Sequence, residues 1–528
     1  MTNDFRWKFP YHSRRMPICA KNIVATSQPL ASQAGLRMLL KGGNAIDAIV
    51  ATAIALTVVE PINNGIGSDA FAILWDGKKL NGLNASGKSP AAWTPEYFSK
   101  YEKMPLLGWD TVTVPGAVSA WVELWKKYGQ LSFKELFEPA IDYARNGFLI
   151  SPITGDLWNA LSRVFKTYPG YCEAFLRDGK PPKPGELFKF PAQARTLELI
   201  AETEGHAFYH GELAKRIVNY AKETGGTMTL EDLENHSPLW VKPIKIEYKS
   251  VELHEIPPNG QGLAALIMLG ILKNFDISSF EPDSVDAIHL QLEAMKLAFA
   301  DAHRYISDPS TLEFDPNYLI QPDYLKERAN LIDPQKAQEF VYGIPKRGDT
   351  VYLTAADENG MMVSYIQSNY FAFGSGIVIP GTGISLQNRG AGFVLEKGHP
   401  NQVGPNKRPY HTIIPAFVTK NGEPLMSYGV MGGAHQPQGH TQMMIRIFEY
   451  KQNPQAANDA PRWSVKDGLD VIVEPEFNKE TVKGLKEKGH KVSISHFVEF
   501  GGCQMIYKVE GGYVASSDPR KDGQAVGF

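Results

Sequence analysis

The sequence predicts an α+β fold in which the two halves of the chain share one body. Helical periodicity dominates the first part of the chain, whereas strand-like alternation dominates after about residue 345. No internal repeat and no low-complexity linker separates the two parts. A chain of 528 residues can hold several average domains, but the absence of a linker between its two parts favours one continuous body.

The first elements carry clear start and stop signals. Residues 22–27 are typical of a strand, and residues 30–41 are typical of a helix. Asn44 can cap a second helix, and Asp47 follows three positions later in a capping-box-like arrangement. The apolar run from Ala45 to Val59 is too short and too interrupted by polar residues for a bilayer span. We therefore expect it to form a buried helix.

Three further helices are predicted in the first part of the chain. They run through Trp121 and Trp125, around residues 138–146, and over residues 284–303. In the last of these, His289, Glu293 and Lys296 fall on one helical face. We interpret these three side chains as a structural polar stripe.

The second part of the chain is rich in predicted strands. From Thr350 the sequence alternates and turns at Asn359-Gly360, a strong hairpin signal. Further strands, separated by Gly, Asn and Pro clusters, are predicted at residues 411–419, 424–430, 491–498, 504–508 and 513–516.

Charge and cysteine content exclude several classes of partner. The 54 basic and 57 acidic side chains give a formal charge of −3, which predicts neither a nucleic acid nor an anionic membrane as partner. Three scattered cysteines, Cys19, Cys172 and Cys503, form no C-x-x-C pair and suggest a reducing compartment. The amino end has no secretory signal pattern. We expect a cytoplasmic protein that acts on a small molecule.

Two sequence patterns that can signal a cofactor or metal site lack the context that such a site needs. Residues 82–89 satisfy the phosphate-loop pattern G-x-x-x-x-G-K-S, but Pro90 and Pro95 follow where a phosphate-binding helix would begin. His435 and His440 lie in a predicted loop without a neighbouring set of ligands. We therefore predict neither a cofactor nor a metal.

The informative residue is Thr350, which opens a strand directly after a polar, turn-prone segment. Its ordinary interpretation is structural, because threonine is common in strands. A threonine hydroxyl becomes a nucleophile when its own α-amine is free to act as the adjacent base. Such chemistry requires cleavage of the 349/350 bond. The loop after residues 424–430 contains Gly432 and Gly433, whose backbone N–H groups could stabilise an oxyanion.

The chain resembles the gamma-glutamyltransferase family along nearly its whole length. The landmarks of the family's alpha chain are GGNAIDAIVATAIALTVVEPINNGIGSDAF at 42–71, VPGAVSAW at 114–121, PPNGQGLAALIML at 257–269 and EAMKLAFADAHRYISDP at 293–309. Those of its beta chain are TVYLTAADENG at 350–360, FGSGIVIPGTGISLQN at 373–388, KRPYHTIIP at 407–415, MGG at 431–433 and SDPRKDGQAVG at 517–527.

The resemblance implies a four-layer αββα sandwich of the N-terminal-nucleophile hydrolase type. It implies a precursor that cuts itself into an alpha chain, residues 1–349, and a beta chain, residues 350–528, which remain associated as one pair or as a dimer of pairs. Thr350 takes the position of the nucleophile, Ser368 that of the second hydroxyl, and Gly432 and Gly433 those of the oxyanion glycines.

The substrate pocket departs from the transferase pattern. Residues 86–90 read SGKSP where the family has an arginine within R-E-x-A-P, and residues 387–393 read QNRGAGF in place of N-N-x-x-D-D-F. His411 and Thr412 replace the family's paired serines. Both charged ends of the clamp for an α-amino acid are therefore changed.

The replacements favour a carboxylate without an ammonium group. Arg389 and Lys88 bring positive charge, and Tyr370 is a further candidate for the substrate site. Oxamate amidohydrolases resemble this pattern, including a GDTVYL-like entry to the nucleophile and a YHTIIP-like segment, so oxamate is the expected substrate. For Arg389 and Lys88 the alternative interpretation is an ordinary ion pair.

Other functions remain open from the sequence. They are a gamma-glutamyl hydrolase or transferase acting on glutathione, a hydrolase of bulkier acyl amides like the related cephalosporin acylases, and an uncut, catalytically silent scaffold.

Overall fold

Two seven-stranded sheets form the centre of the computed structural model, which describes residues 15–340 and 349–528. The strands in this part of the chain are β1 (Ile18–Ala20), β2 (Ile23–Thr26), β3 (Asp69–Trp75), β4 (Leu80–Asn84), β5 (Phe148–Leu149), β6 (Leu187–Phe188), β7 (Leu239–Val241), β8 (Ile244–Tyr248), β9 (Val251–Glu255), β10 (Asp349–Ala356), β11 (Met362–Tyr370), β12 (Val378–Ile379), β13 (Ile384–Ser385), β14 (Ala416–Lys420), β15 (Glu423–Met431), β16 (Trp463–Asp467), β17 (Asp470–Val473), β18 (Lys491–Ile494), β19 (Gly502–Val509), β20 (Gly512–Ser517) and β21 (Gln524–Gly527).

Helices flank the sheets. The α-helices in the described residues are α1 (Pro29–Leu40), α2 (Ala45–Val59), α3 (Ala117–Tyr128), α4 (Phe133–Asn146), α5 (Pro152–Phe165), α6 (Pro169–Phe175), α7 (Pro191–Glu202), α8 (His206–Tyr209), α9 (Glu212–Thr224), α10 (Leu230–Glu234), α11 (Gly262–Leu272), α12 (Val285–Tyr305), α13 (Pro322–Ala329), α14 (Gln436–Met444), α15 (Pro454–Asp459) and α16 (Lys479–Glu487). Together with the sheets they make a mixed α and β fold, as predicted.

Both large sheets combine strands from before and after residue 350. One sheet has the order β1-β20-β19-β15-β14-β9-β8, and the other has the order β21-β2-β10-β11-β3-β4-β7. All neighbouring strands within these two sheets are antiparallel. The helix-rich first part of the chain therefore contributes strands to both sheets.

Apolar side chains fill the space between the two sheets and the space behind each of them. Phe71, Tyr352 and Ile366 of one sheet share a buried cluster with Phe417 and Ile506 of the other. A second cluster joins α1–α4 to the sheet that contains β10, and a third joins α11 and α12 to the sheet that contains β14 and β15. All nine residues of β11 are buried, including the polar side chains of Ser364, Gln367 and Ser368.

The capping box predicted for α2 is present. The Asn44 side chain accepts hydrogen bonds from the backbone N–H groups of Ile46 and Asp47, and the Asp47 carboxylate accepts one from the N–H of Asn44. All 15 residues of α2 are buried. Local hydrogen bonds thus start a helix that burial on every side stabilises.

Three predictions for the second part of the chain are wrong. The strand expected over residues 491–498 ends at Ile494, and a short 3₁₀ helix, Phe497–Phe500, follows it. The strand expected from residue 411 begins only at Ala416, because the backbone of His411 bonds to Asn259 and Gln261, and the N–H of Ile414 donates to Gln436 Oε1, in place of a strand ladder. The loop expected around His435 and His440 is a short 3₁₀ turn followed by α14. Pro437 is compatible with α14 because it stands in its first turn, where its missing N–H costs no helical bond.

The polar stripe of α12 is buried in a network of hydrogen bonds. His289 Nδ1 lies 2.8 Å from His490 Nε2. Lys296 Nζ donates to Glu293 Oε1 over 2.7 Å and to the carbonyl oxygen of Gln338 over 3.0 Å. The network ties α12 to the later part of the chain and to the segment around Gln338.

Among residues 15–340 and 349–528, none of the helices has both the length and the apolar character that crossing a bilayer requires.

The loop after β4 crosses the segment before α3 at very short range. A Cβ atom on Gly87 would lie 1.6 Å from the carbonyl oxygen of Val114, and one on Gly116 would lie 1.5 Å from that of Ala85. Backbone atoms cannot yield as a flexible side chain can. These two glycines therefore allow the crossing.

We predict that Gly87→Ala destabilises the protein by about 3 kcal/mol, the upper part of the range for overpacking a buried site. Chemical denaturation compared with the wild type measures the change. Gly404→Ala is the matched control, since a Cβ atom at Gly404 meets no atom within 4 Å. Equal midpoints for the two variants would show that the crossing tolerates a side chain.

Candidate active site

Thr350 presents a buried hydroxyl group at the beginning of β10. Thr350 is 2% exposed. Its Oγ1 donates a hydrogen bond to Ser368 Oγ over 3.3 Å. The pairing of β10 with β11 shifts between Asp349 and Val351, so Thr350 sits in an irregularity of the ladder. The sequence placed Thr350 and Ser368 together through the family resemblance, and the hairpin brings them into contact.

Gln436 is a third member of this group that the sequence analysis missed. Its Nε2 donates to Thr350 Oγ1 over 3.2 Å, and its Oε1 accepts from the backbone N–H of Ile414 over 3.0 Å. The second bond fixes which end of the amide faces Thr350. The only signal in the sequence was the position of Gln436, three residues after Gly433.

Gly432 and Gly433 follow β15 with φ angles of +121° and +58°. Backbone in this region favours glycine. The carbonyl oxygen of Gly432 accepts from the N–H of His435, and that of Gly433 accepts from Gln261 Nε2. Gln436, the first residue of α14, then reaches back to Thr350, so the two glycines lie in the turn that connects β15 to the hydroxyl pair.

Arg389 is a fully buried cation in the same region. Its Nη1 donates to Thr412 Oγ1 over 2.8 Å, and its guanidinium carbon lies 4.6 Å from the centre of the Tyr370 ring. Among the described residues, its Nε and Nη2 atoms have no hydrogen-bond partner. Burial lowers the pKa of Arg389 to about 10. At neutral pH Arg389 therefore remains a cation with donors to spare.

Asp69 is a second charged residue that the sequence analysis missed. Its Oδ2 lies 3.7 Å from Arg389 Nε and 3.1 Å from His411 Nε2. Burial raises the pKa of Asp69 to about 7, although Arg389 opposes the shift. Burial, followed by the charge of Arg389, lowers the pKa of His411 well below its ordinary value, which keeps the imidazole neutral.

Asp69 lies next to the hydroxyl pair. It opens β3, and its register partner on β11 is Ser368. Residues directly opposite each other on antiparallel strands bring their Cβ atoms to about 5 Å on the same face of the sheet. The charged group around Arg389 therefore adjoins the group around Thr350.

A cleft of about 720 Å³ adjoins the charged group. Its lining consists of residues 100–106, residues 391–394, His303, Tyr370, Asn401 and Tyr410. Tyr370 belongs to both places, because its ring also lies beside Arg389. The cleft is much larger than a two-carbon amide and has a largely apolar wall.

Lys88 differs from the other predicted substrate-binding residues in its exposure to solvent. Its side chain is exposed and its carbonyl oxygen accepts from the N–H of Val114. Burial, and then the positive charges of Arg408 and Lys88, lower the pKa of His236 to about 3. The structure thus joins Thr350, Ser368, Tyr370, Arg389, His411 and Thr412 into one connected set and places Lys88 near His236.

Comparison with known proteins identifies the family. A family model described as Gamma-glutamyltranspeptidase matches residues 31–528. The chain therefore belongs to the gamma-glutamyltranspeptidase family, a family of amide-bond enzymes that includes N-terminal-nucleophile hydrolases.

Three relatives illustrate the range within this family. The glutathione hydrolase-like YwrD proenzyme of Bacillus subtilis is 38% identical over 97% of this chain and 99% of its own length. The oxamate amidohydrolase proenzyme of Klebsiella pneumoniae is 34% identical over 94% of this chain and 97% of its own length. A crystal structure of cephalosporin acylase from Bacillus halodurans is 46% identical, covers 100% of this chain and 99% of that chain, and has a TM-score of 0.96.

We predict that Gln436→Glu slows the appearance of fragments cut before Thr350 by about 5- to 10-fold, since losing one hydrogen bond costs about 1 kcal/mol. The substitution removes the donor to Thr350 and keeps the acceptor for Ile414. Mass spectrometry of freshly purified protein over time measures the rate. A melting temperature close to that of the wild type separates this effect from misfolding, and an unchanged rate would contradict the assigned contact.

Proposed function

We propose that this protein is a self-processing amidohydrolase whose nucleophile is Thr350. The chain is cut between residues 349 and 350, giving an alpha chain of residues 1–349 and a beta chain of residues 350–528 in one αββα sandwich. The contact of the Thr350 hydroxyl with Ser368 and Gln436 supports this role, as does the word proenzyme in the names of the relatives. The two facing sheets with helices behind them support the four-layer arrangement.

The proposed reaction uses the α-amine that cleavage exposes. The amine takes the hydroxyl proton of Thr350 while Oγ1 forms a bond to the amide carbon of the substrate. The N–H groups of Gly432 and Gly433 stabilise the resulting oxyanion. The carbon–nitrogen bond then breaks, the leaving nitrogen takes the proton, and water releases the acid from Thr350. Ser368 and Gln436 orient the hydroxyl throughout.

The substrate we propose is a small amide that carries a carboxylate, with oxamate as the leading candidate. The observation that carries this proposal is Arg389, a buried cation with two N–H donors that have no hydrogen-bond partner among the described residues. A planar guanidinium group fits a carboxylate with two parallel hydrogen bonds. Thr412 and Tyr370 hold the guanidinium group, and His411 adjoins it through Asp69. The name of the Klebsiella relative agrees with this substrate.

The cleft favours a second candidate, amides with a longer acyl group. A volume of about 720 Å³ beside Tyr370 accommodates far more than oxamate. The similar crystal structure is that of a cephalosporin acylase, and the Bacillus subtilis relative is named as glutathione hydrolase-like. Hydrolysis of glutathione or another gamma-glutamyl amide is therefore the third candidate. An uncut, silent scaffold is the alternative in which Thr350 never obtains a free amine.

We expect the purified wild-type protein to contain two fragments, residues 1–349 and 350–528, and the Thr350→Ala variant to contain one chain. The alanine lacks the hydroxyl group that attacks the preceding peptide bond. Intact-mass spectrometry distinguishes the two results. Thr350→Ser is the control and should still be cut, because it keeps the hydroxyl. A single uncut chain in all three proteins would contradict the proposed mechanism.

We expect Arg389→Gln to lower kcat/KM for oxamate by about 10- to 100-fold, the cost of losing a charge-assisted hydrogen bond. Oxamide, which replaces the carboxylate by an amide, should lose little, because it has no charge for Arg389 to bind. Release of ammonia measures both reactions. The series malonamate, succinamate, glutaramate and gamma-glutamyl anilide then establishes the preferred acyl length. Equal losses for oxamate and oxamide would exclude Arg389 as the carboxylate site.

A further inference from the structure

The buried carboxylate of Asp69 is bound on several sides by the groups around the proposed substrate site. Oδ2 faces His411 and Arg389, and Oδ1 accepts from the N–H of Gly87 over 3.3 Å. Asp69, Arg389 and His411 are all 0% exposed. Water screens charges in such a place only weakly. The charge on Asp69 therefore acts strongly on whatever binds to Arg389.

Asp69 and Arg389 form a loose ion pair. The closest approach is 3.7 Å, from Oδ2 to Nε, which is too long for a hydrogen bond. The equally buried pair of Arg462 and Asp518 is joined at 2.6 Å with a hydrogen bond. The second pair has the geometry of a fixed structural contact, whereas Arg389 keeps two donors available.

The pKa values of the two aspartates agree with this difference in geometry. Burial tends to raise the pKa of Asp518, but Arg462 and Arg520 lower it to about 2, so that this carboxylate stays ionised. Burial raises the pKa of Asp69 to about 7, and the lowering by Arg389 and Arg408 does not offset it. Asp69 therefore lies near the point at which it gains or loses a proton.

The other ionisable groups near Asp69 do not titrate in the same range. Burial raises the pKa of Tyr370, and burial also raises that of Tyr209 well above neutral pH. His411 stays neutral because burial lowers its pKa. Arg408 and Arg389 stay charged, although burial lowers the pKa of both. Among these side chains, the carboxyl group of Asp69 is therefore the one that responds between pH 6 and 8.5. The α-amine that cleavage frees at Thr350 ordinarily titrates at about pH 8, and the Asp69→Asn variant below distinguishes the two groups.

We propose that Asp69 is the resident counter-ion of Arg389 and that, when the carboxylate of a substrate binds Arg389, Asp69 takes up one proton from solvent. The guanidinium group thereby exchanges one carboxylate for another. This inference rests on the proposed function in one respect, namely that Arg389 binds the carboxylate of the substrate. Asp69 acts through Arg389 and is therefore a positioning residue.

The sign of the pH dependence follows from charge. Two buried carboxylates beside one guanidinium group repel each other, so an anion binds best when Asp69 is protonated. Affinity is then nearly full at about pH 6 and falls as pH rises through the pKa of Asp69. With a pKa of about 7, the fall between pH 6 and pH 8.5 reaches about 30-fold if the anion binds only the protonated form.

Calorimetric binding of oxalate to the purified wild-type protein tests the proposal directly. Oxalate keeps its own charge between pH 6 and 8.5. We expect its affinity to weaken by about 10- to 30-fold over this range. Titrations at pH 8 in two buffers of different ionisation enthalpy should reveal the uptake of nearly one proton. Binding that does not depend on pH, proton uptake near zero, or no binding at all would each overturn the proposal.

Asp69→Asn identifies the group that takes up the proton. The asparagine imitates a protonated aspartate in size, so oxalate should bind with an affinity that no longer changes with pH and matches the wild type at pH 6. Asp357→Asn is the matched control. Asp357 is also buried with a raised pKa, chiefly through burial, but it bonds to the backbone of Ala45 and Asn359. If the affinity of Asp69→Asn for oxalate still changes with pH, the proton belongs to another group.

Assays of ammonia release keep this inference separate from the proposed substrate. If the wild-type protein does not hydrolyse oxamate but binds oxalate in a pH-dependent manner, oxamate is refuted as the substrate and the role of Asp69 stands. Activity on oxamate with oxalate binding that is independent of pH would support the substrate and refute the role of Asp69.

Discussion

The pairing of β10 with β2 on one side and β11 on the other is the constraint on which the site depends. It holds Thr350 at the start of a central, buried strand, where the β10–β11 register shifts, and the hydroxyl group of Thr350 reaches Ser368 on β11. The next pairing, of β11 with β3, brings Asp69 beside Ser368. Three neighbouring strands thus place a hydroxyl pair and a carboxylate on one face, although they are almost 300 residues apart in sequence.

Burial gives the charged group its chemistry. Arg389, Asp69 and His411 would behave as ordinary exposed side chains at the surface, where solvent screens each charge. In the interior, desolvation opposes every ionised form, and a nearby opposite charge acts more strongly than it does in water. Arg389 has one loose ion partner and one hydroxyl acceptor, so an incoming anion provides what the protein itself does not.

The sequence predicted local structure well where short-range signals decide it. The capping box at Asn44, the hairpin at Asn359-Gly360 and the helix after Ser284 depend on neighbouring residues, and all three are present. Thr350 and Ser368 were matched by family motifs, and their contact confirms only that they are close. Their catalytic role stays a prediction.

Features that depend on distant contacts were missed for a physical reason. Helix α14 contains glycine and proline and has little intrinsic preference for a helix, but burial of all nine of its residues stabilises it. Asp69 resembles the polar start of a strand until residues 389 and 411 are seen beside it. Lys88 was grouped with Arg389 by alignment to a motif, which carries no information about the direction of a side chain.

The interleaving of strands has a consequence for the lifetime of the mature protein. If the chain is cut before Thr350, β2 and β3 belong to one polypeptide while β10 and β11, which lie between them, belong to the other. The precursor folds as a single molecule, whereas rebuilding the cut product requires two molecules to meet, a second-order reaction that becomes slow on dilution. The cut form would then persist because its unfolding is slow, and not because it readily refolds.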